Sequence, residues 1–161
     1  MDHDSLTHTV QSHSPALYRL AYTQLRSAAD AEDAVQEAFL RLLRAAPPLE
    51  NDAHTRAWLM RVTLNICRDM LRSPWRRRRD ELPEDIPAEG EDERADLLRA
   101  VLALPPKYRA AIHLHYYEGY SIREIADLLG CPAATVGTRL ARARRLLYNA
   151  LSEKEDCHEK A

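Results

Sequence analysis

The sequence predicts an all-α protein of two small helical domains joined by an acidic flexible linker. Three observations lead there. Alanine, leucine, arginine and glutamate dominate, glycine occurs only four times, and no long run alternates apolar with polar residues, so the chain favours helix over strand. Apolar residues recur at three- and four-residue steps in several separate stretches. Between two groups of these stretches lies DELPEDIPAEGEDERAD, which is strongly acidic, holds Pro83, Pro87 and Gly90, and has no helical apolar stripe. The boundaries that follow are a first domain over 1–75, a linker over 76–93, a second domain over 94–152 and a tail over 153–161. A chain of 161 residues suffices for two small helical domains.

In the first domain, Leu17, Leu20, Ala21 and Leu25 predict one helix. Ala31, Ala34, Val35, Ala38, Phe39 and Leu42 predict a second. Asp30 and Asp33 suit its first turn, where the helix dipole favours acids, and Pro47-Pro48 ends it. A third helix is expected from about Ala53 to Arg72, stopped by Ser73-Pro74. Trp58, Val62, Ile66 and Met70 are expected on its apolar side. Arg61, Asn65, Arg68 and Arg72, at i, i+4, i+7 and i+11, form one polar stripe on the other.

In the second domain, Leu97, Leu98, Val101 and Leu104 predict a short helix, broken by Pro105-Pro106. Pro106 suits the first position of the next helix, which carries Tyr108, Ile112 and Tyr116 and ends near Glu118-Gly119. Ser121 to Glu124 has the S-x-x-E capping-box pattern, with Tyr120 and Ile125 placed as a hydrophobic staple. That helix carries Ile122, Ile125, Ala126 and Leu129 and closes at Gly130. Pro132 opens a last helix through Leu151.

The net charge of −2 conceals segregation. Arg72 and Arg76 to Arg79 form one basic cluster. Arg139, Arg142, Arg144 and Arg145 form another, with no acid between Ala133 and Ala150. Such a cluster can be a phosphate footprint within an acidic chain. At about 100° per residue, Val136, Leu140, Ala143 and Leu147 share one arc of the last helix, its core face. Thr135, Thr138, Ala141, Arg142 and Arg145 point broadly away, with Arg139 and Arg144 on the flanks. Small residues let a helix sink into a major groove, arginine pairs with guanine, and hydroxyls reach phosphates or bases. Two short helices with a glycine turn and a basic second helix make a helix-turn-helix pattern.

Other chemistry finds no support. Cys67, Cys131 and Cys157 include no C-x-x-C pair, and their odd number argues against a disulfide framework. His113 and His115 read as helix-surface histidines and Cys131 as a capping cysteine, because their spacing gives no support to a metal site. With no phosphate-binding glycine loop, metal cluster or nucleophile motif, neither an enzyme nor a cofactor is expected. No apolar run is long enough to cross a bilayer, and MDHDSLTHTVQ is not a signal peptide. No membrane insertion is expected, and the cytoplasm is the expected compartment.

The segment LPPKYRAAIHLHYYEGYSIREIADLLGCPAATVGTRLARARRLL resembles region 4 of the extracytoplasmic-function group of the sigma-70 family. The matching residues are Leu104, Pro105, Arg109, Glu118-Gly119, Ser121, Glu124 to Ala126, Leu129-Gly130, Thr135-Val136, Arg139-Leu140 and Arg142 to Arg144. DAEDAVQEAFLRLLR and TRAWLMRVTLNICRDMLR are similar to the polymerase-binding and −10-reading helices of region 2, the latter through Trp58-Leu59, Asn65, Asp69 and Arg72. The resemblance implies core RNA polymerase, promoter DNA and an anti-sigma factor as partners. It implies polymerase docking by Asp33, Gln36, Glu37, Leu40 and Arg41. The −10 element falls to Arg61, Asn65, Arg68 and Arg72, with the loop from Pro47 to His54 holding an unstacked base. The −35 element falls to Thr135, Thr138, Arg139 and Arg142, with Arg144 and Arg145 on phosphate. Three departures stand out: Gly137 replaces a frequent basic residue, Thr138 a serine, and Ala141 bulkier residues. Two other readings are a sigma-like decoy that titrates an anti-sigma factor and a dimeric helix-turn-helix repressor. The repressor leaves the first domain unexplained.

Overall fold

The computed structural model describes residues 1–73 and 93–159. Arg76 to Arg79, Pro83, Pro87 and Gly90 lie outside the described residues, as does the expected linker apart from Glu93. The described residues form seven α-helices, and the chain divides into two compact units, Met1–Asp80 and Glu81–Ala161.

The first unit is a three-helix bundle of α1 (His3–Leu25), α2 (Ala28–Ala45) and α3 (Asp52–Arg72). Each helix starts on a side-chain cap. Asp2 accepts from Ser5 N–H, Ser27 from Asp30 N–H and Asn51 from His54 N–H, each satisfying one of the orphan donors of a first turn. The helix expected around Leu17 thus begins much earlier, at His3, and carries Pro15 in its interior. Leu17, Leu20 and Leu25 of α1 pack with Leu42 of α2 and with Leu59, Met60 and Cys67 of α3 in the buried core. Ala31, Ala34 and Ala38 are fully buried, and such small side chains let α2 approach its neighbours closely.

The buried side of α3 differs from the expected one. Leu59, Met60, Thr63, Leu64, Ile66 and Cys67 are buried, whereas Trp58, Val62 and Met70 are only half-buried. The buried set lies one residue on in phase, with the small side chains Thr63 and Cys67 on the inner line. Trp58 is thereby displaced from the core to the shoulder of the helix.

The second unit holds α4 (Glu93–Leu102), α5 (Pro106–Ile112), α6 (Ile122–Leu129) and α7 (Ala133–Glu159). On α4, Leu97 is 47% exposed and Leu98 39% exposed, while Ala95, Ala100 and Leu102 are buried. Of the expected set, Leu97 and Leu98 thus face outward, while Val101 is half-buried and Leu104 buried. An Asp96–Arg99 pair at 3.4 Å packs beside the true inner face. Pro106 opens α5, as expected.

Beyond Ile112, α5 continues as a π-turn over His113–Tyr117. The wider turn changes the helical phase, so Ile112 and Leu114 are buried but Tyr116 is 57% exposed. His113 is no surface histidine. It is buried, its Nε2 lies 3.1 Å from Glu118 Oε1 across the π-turn, and it stacks on Tyr117. Arg109 is likewise buried, and its Nη1 donates to the carbonyls of Leu102 and Leu104 at 3.1 and 3.0 Å. It ties the α4–α5 corner, which Pro105 and Pro106 cannot close through their own missing N–H groups.

Candidate nucleic-acid interface

The helix-turn-helix is fixed at both ends of α6. Ser121 Oγ accepts from Glu124 N–H at 3.1 Å, and Glu124 Oε1 accepts from Ser121 N–H at 3.0 Å. The Ser121 N–H, and after it the Ser121 hydroxyl, hold the Glu124 carboxyl below its usual range. Gly130 caps the other end with φ +66°, a left-handed conformation that L side chains resist. The N–H of Cys131 returns to the Ala126 carbonyl at 3.1 Å, and the Pro132 carbonyl accepts from Thr135 and Val136. The turn therefore enters α7 with its backbone satisfied, which fixes the angle between the two helices.

Val136, Leu140 and Ala143 bury one side of α7 against the unit's core. Thr138, Arg142, Arg144 and Arg145 are exposed, and Thr135 and Arg139 are half-buried. Thr138 Oγ1 donates to the Ala134 carbonyl at 3.0 Å, which leaves the hydroxyl able to accept. Its natural complement is a base amino group, whereas a phosphate, which has no proton to give, suits the guanidiniums. Gly137 faces open space: a Cβ there would meet nothing within 4 Å.

The two flanks of α7 differ. On one, Thr135, Thr138, Arg139 and Arg142 line a groove of about 310 Å³ with Ala134 and with Lys107 and Tyr108 of α5. On the other, Arg144 Nη1 donates to Tyr116 Oη at 2.8 Å. Residues 142 and 144 lie about 200° apart around a helix, so the tyrosine holds Arg144 away from the groove.

In the first unit, Arg61, Asn65, Arg68 and Arg72 are all exposed along α3, opposite its buried side. On α2, Asp33, Gln36 and Leu40 are exposed and line a groove of about 580 Å³ with Leu6, Val10 and Tyr18 of α1. Glu37 lies beside this face, 3.3 Å from Arg41 and 3.7 Å from Arg44.

Residues 9–77 match the model described as Sigma-70 region 2, and residues 94–147 that described as Sigma-70, region 4. The chain is 38% identical over 156 residues to the ECF RNA polymerase sigma factor SigE of Mycolicibacterium smegmatis, covering 89% of this chain and 60% of that protein. It is 35% identical over 143 residues to the ECF RNA polymerase sigma factor SigM of Mycobacterium tuberculosis, covering 86% and 73%. The chain belongs to the extracytoplasmic-function sigma factors.

Solved structures agree with that membership. The sigma factor RpoE in complex with the anti-sigma factor NepR from Bartonella quintana aligns with a TM-score of 0.73 at 25% identity, over 92% of this chain and 97% of that one. CnrH in complex with the cytosolic domain of CnrY aligns at 0.69 and 27%, over 94% and 90%.

Within this sigma factor, the fold brings Thr135, Thr138, Arg139 and Arg142 together and separates Arg144 from them. Three side chains beside the expected sites escaped sequence reasoning: Lys107, Tyr108 and Tyr116. Spacing carries no signal for them, because their proximity to α7 arises only from helix packing and from the π-turn.

Proposed function

We propose that this sigma factor binds core RNA polymerase in the cytoplasm and directs promoter recognition, melting and initiation. The observation that carries the reading is the outer face of α7. A rigidly capped helix-turn-helix presents hydroxyls and guanidiniums, with no acid between Ala133 and Ala150. Thr135, Thr138, Arg139 and Arg142 address the −35 element, and Arg145 a nearby phosphate. Arg144 acts through Tyr116 as a strap on the far flank. On α3, the stripe of Arg61, Asn65, Arg68 and Arg72 addresses the −10 element, whose exposed bases and backbone cations and amides can follow. The loop from Pro47 to His54 borders an unstacked base.

Polymerase docks on the α2 face of Asp33, Gln36, Glu37, Leu40 and Arg41, which joins exposed acids to an apolar groove. An anti-sigma factor competes for this chain, a reading supported by the complexes in which RpoE and CnrH were solved. Among the described residues no helix is long and apolar enough to cross a membrane, which accords with work on polymerase inside the cell.

Gly137, standing where a basic residue is frequent, favours a second reading, a decoy that binds an anti-sigma factor without initiating. The anti-anti-sigma factor PhyR, at 16% identity and a TM-score of 0.59, shares the fold alone. One experiment separates the two. Run-off transcription with core polymerase and this chain should yield specific transcripts that Glu37→Lys abolishes by preventing holoenzyme assembly. Intact holoenzyme without transcripts from any selected promoter would leave the decoy standing.

A further inference from the structure

The outermost line of α7 offers few hydrogen-bond donors. At 3.6 residues per turn, Ala134, Thr138, Ala141 and Arg145 fall within about 60° of one another. All four are exposed, and they stand opposite the buried Val136, Leu140 and Ala143. None of the first three has a side-chain proton to give a base. The two alanines present methyl groups. The Thr138 proton is already committed, because Oγ1 donates to the Ala134 carbonyl at 3.0 Å. β-Branching leaves a helical threonine few rotamers, so this bond also fixes where the hydroxyl oxygen stands. Arg145 lies about 10 Å farther along the axis than Thr138. On one flank Gly137 has no side chain, and Arg144 is held by Tyr116 at 2.8 Å. On the other, Arg142 stands at the groove beside Lys107.

Each base pair shows the major groove its own set of groups. Guanine shows two acceptors, N7 and O6, and an acceptor-only hydroxyl meets them lone pair against lone pair. Adenine shows an amino group at N6, and its thymine shows a methyl. A C·G pair also has an amino group, on cytosine, but it lacks the methyl and brings guanine's acceptors with it. We propose that Thr138 is the specificity-determining residue for one A·T pair of the −35 element, its hydroxyl accepting from the adenine N6 amino group while the Ala141 methyl covers the thymine methyl. Residues three apart on a helix face have Cβ atoms about 5–6 Å from each other, which lets the two side chains address one pair. The assignment rests on the reading in which α7 faces the −35 element, and it names the base at the centre of that face. Guanine falls to Arg142 on the groove side, since a guanidinium supplies the two donors that the central line lacks.

The test uses the full chain assembled with core polymerase and a duplex promoter selected by the wild type. At each A·T pair of the −35 element, purine deoxyriboside, which lacks only the amino group, replaces adenine. In a second series deoxyuridine, which lacks only the methyl, replaces thymine. At one pair the wild type should lose about fivefold in affinity with purine, the size of one net hydrogen bond. It should lose about fourfold there with deoxyuridine, the size of one buried methyl. Thr138→Val keeps the shape without the acceptor, and it should bind the adenine and purine duplexes equally while retaining the deoxyuridine loss. Thr138→Ser should keep the purine loss, and Ala141→Gly should remove the deoxyuridine loss alone. Comparing ratios between proteins cancels any change in the duplex itself. A threonine with a structural role only would leave the adenine–purine difference intact in Thr138→Val, and that result would overturn the assignment. So would a Thr138→Val loss shared equally by promoter and scrambled duplexes, which would put the hydroxyl on the phosphate backbone. A deoxyuridine loss that survives Ala141→Gly would strike the methyl contact. A wild-type holoenzyme with no preference for promoter over scrambled duplex would remove the underlying reading as well. Normal preference with purine tolerated at every adenine would remove this assignment alone.

Discussion

Arg142 and Arg144 belong to the same R-A-R triplet, yet they stand on opposite flanks of α7 in different surroundings. Arg142 is exposed at the groove beside Lys107, whereas Arg144 donates to Tyr116 at 2.8 Å on the other flank. Arg142→Ala should therefore cost about 1–3 kcal/mol of promoter binding and relax preference at one −35 position. Arg144→Ala should leave the salt slope of binding unchanged and lower the melting temperature of the chain instead. Quantitative binding over a salt series checks both, and a reduced slope in Arg144→Ala would return that arginine to the phosphate backbone. Gly137 gives a simpler expectation. A Cβ there meets open space, so Gly137→Ala should stabilise α7 by up to about 1 kcal/mol, seen as a higher unfolding midpoint. The triplet itself was legible in the sequence, and so was the outward phase of Arg142. The tether on Arg144 was not, because it depends on a π-turn 28 residues earlier that no spacing rule announces.

Among the elements, the legible ones were those whose ends carry their own chemistry. Ser121 and Glu124 define the start of α6 and Gly130 its end, and all three behave as local capping rules require. Ser121→Ala should destabilise the second unit by about 1 kcal/mol. The Glu124 carboxyl is held below its usual 4.5 by its bonds to Ser121. Its stabilising share is thus present above that value and lost as pH falls through the lower, folded one. Glu124→Gln should flatten that acid dependence in a melting series, whereas Ser121→Ala, which keeps the backbone N–H that Glu124 accepts from, should retain most of it. The faces of α3 and α4 were less legible. Leucine and tryptophan dominate any count of apolar periodicity, but Ala95, Ala100, Thr63 and Cys67 are buried while Leu97, Leu98 and Trp58 are not, because close packing rewards fit over hydrophobicity per residue.

In the bundle of α1, α2 and α3, His13 is buried, and its Nδ1 has no hydrogen-bond partner among the described residues. Burial is the main cause that pushes its pKa below 6.5. Arg56 adds to the effect and Asp52 opposes it. Protons then bind the unfolded chain first, so stability is full above pH 6.5 and falls as pH drops through that value toward the folded pKa. Melting between pH 7.5 and about 5 should show this slope, and His13→Leu should reduce it. The same slope in both proteins would assign it to other groups.

For the whole molecule, a net charge of −2 and a DNA-binding role are compatible because the charges are sorted along the chain. The acids concentrate in the stretch 80–96 of the sequence, and the arginines of α3 and α7 stand on exposed faces. Each unit has its own buried core, Leu17, Leu20, Leu59 and Met60 in one and Leu102, Leu114, Ile125, Val136 and Leu140 in the other. Burying one such leucine contributes about 1.5–3 kcal/mol. Small domains bury a modest share of their surface and stand near the lower limit of independent stability. Fragments 1–75 and 94–152, expressed separately, should each show helical circular dichroism and melt cooperatively. The 94–152 fragment should bind −35 duplex with a salt slope that Arg142→Ala lowers, while the 1–75 fragment should bind core polymerase without it. If either fragment were helical only when mixed with the other, the two cores would be interdependent. The division of labour between −10 and −35 elements would then have to arise within a single folding unit.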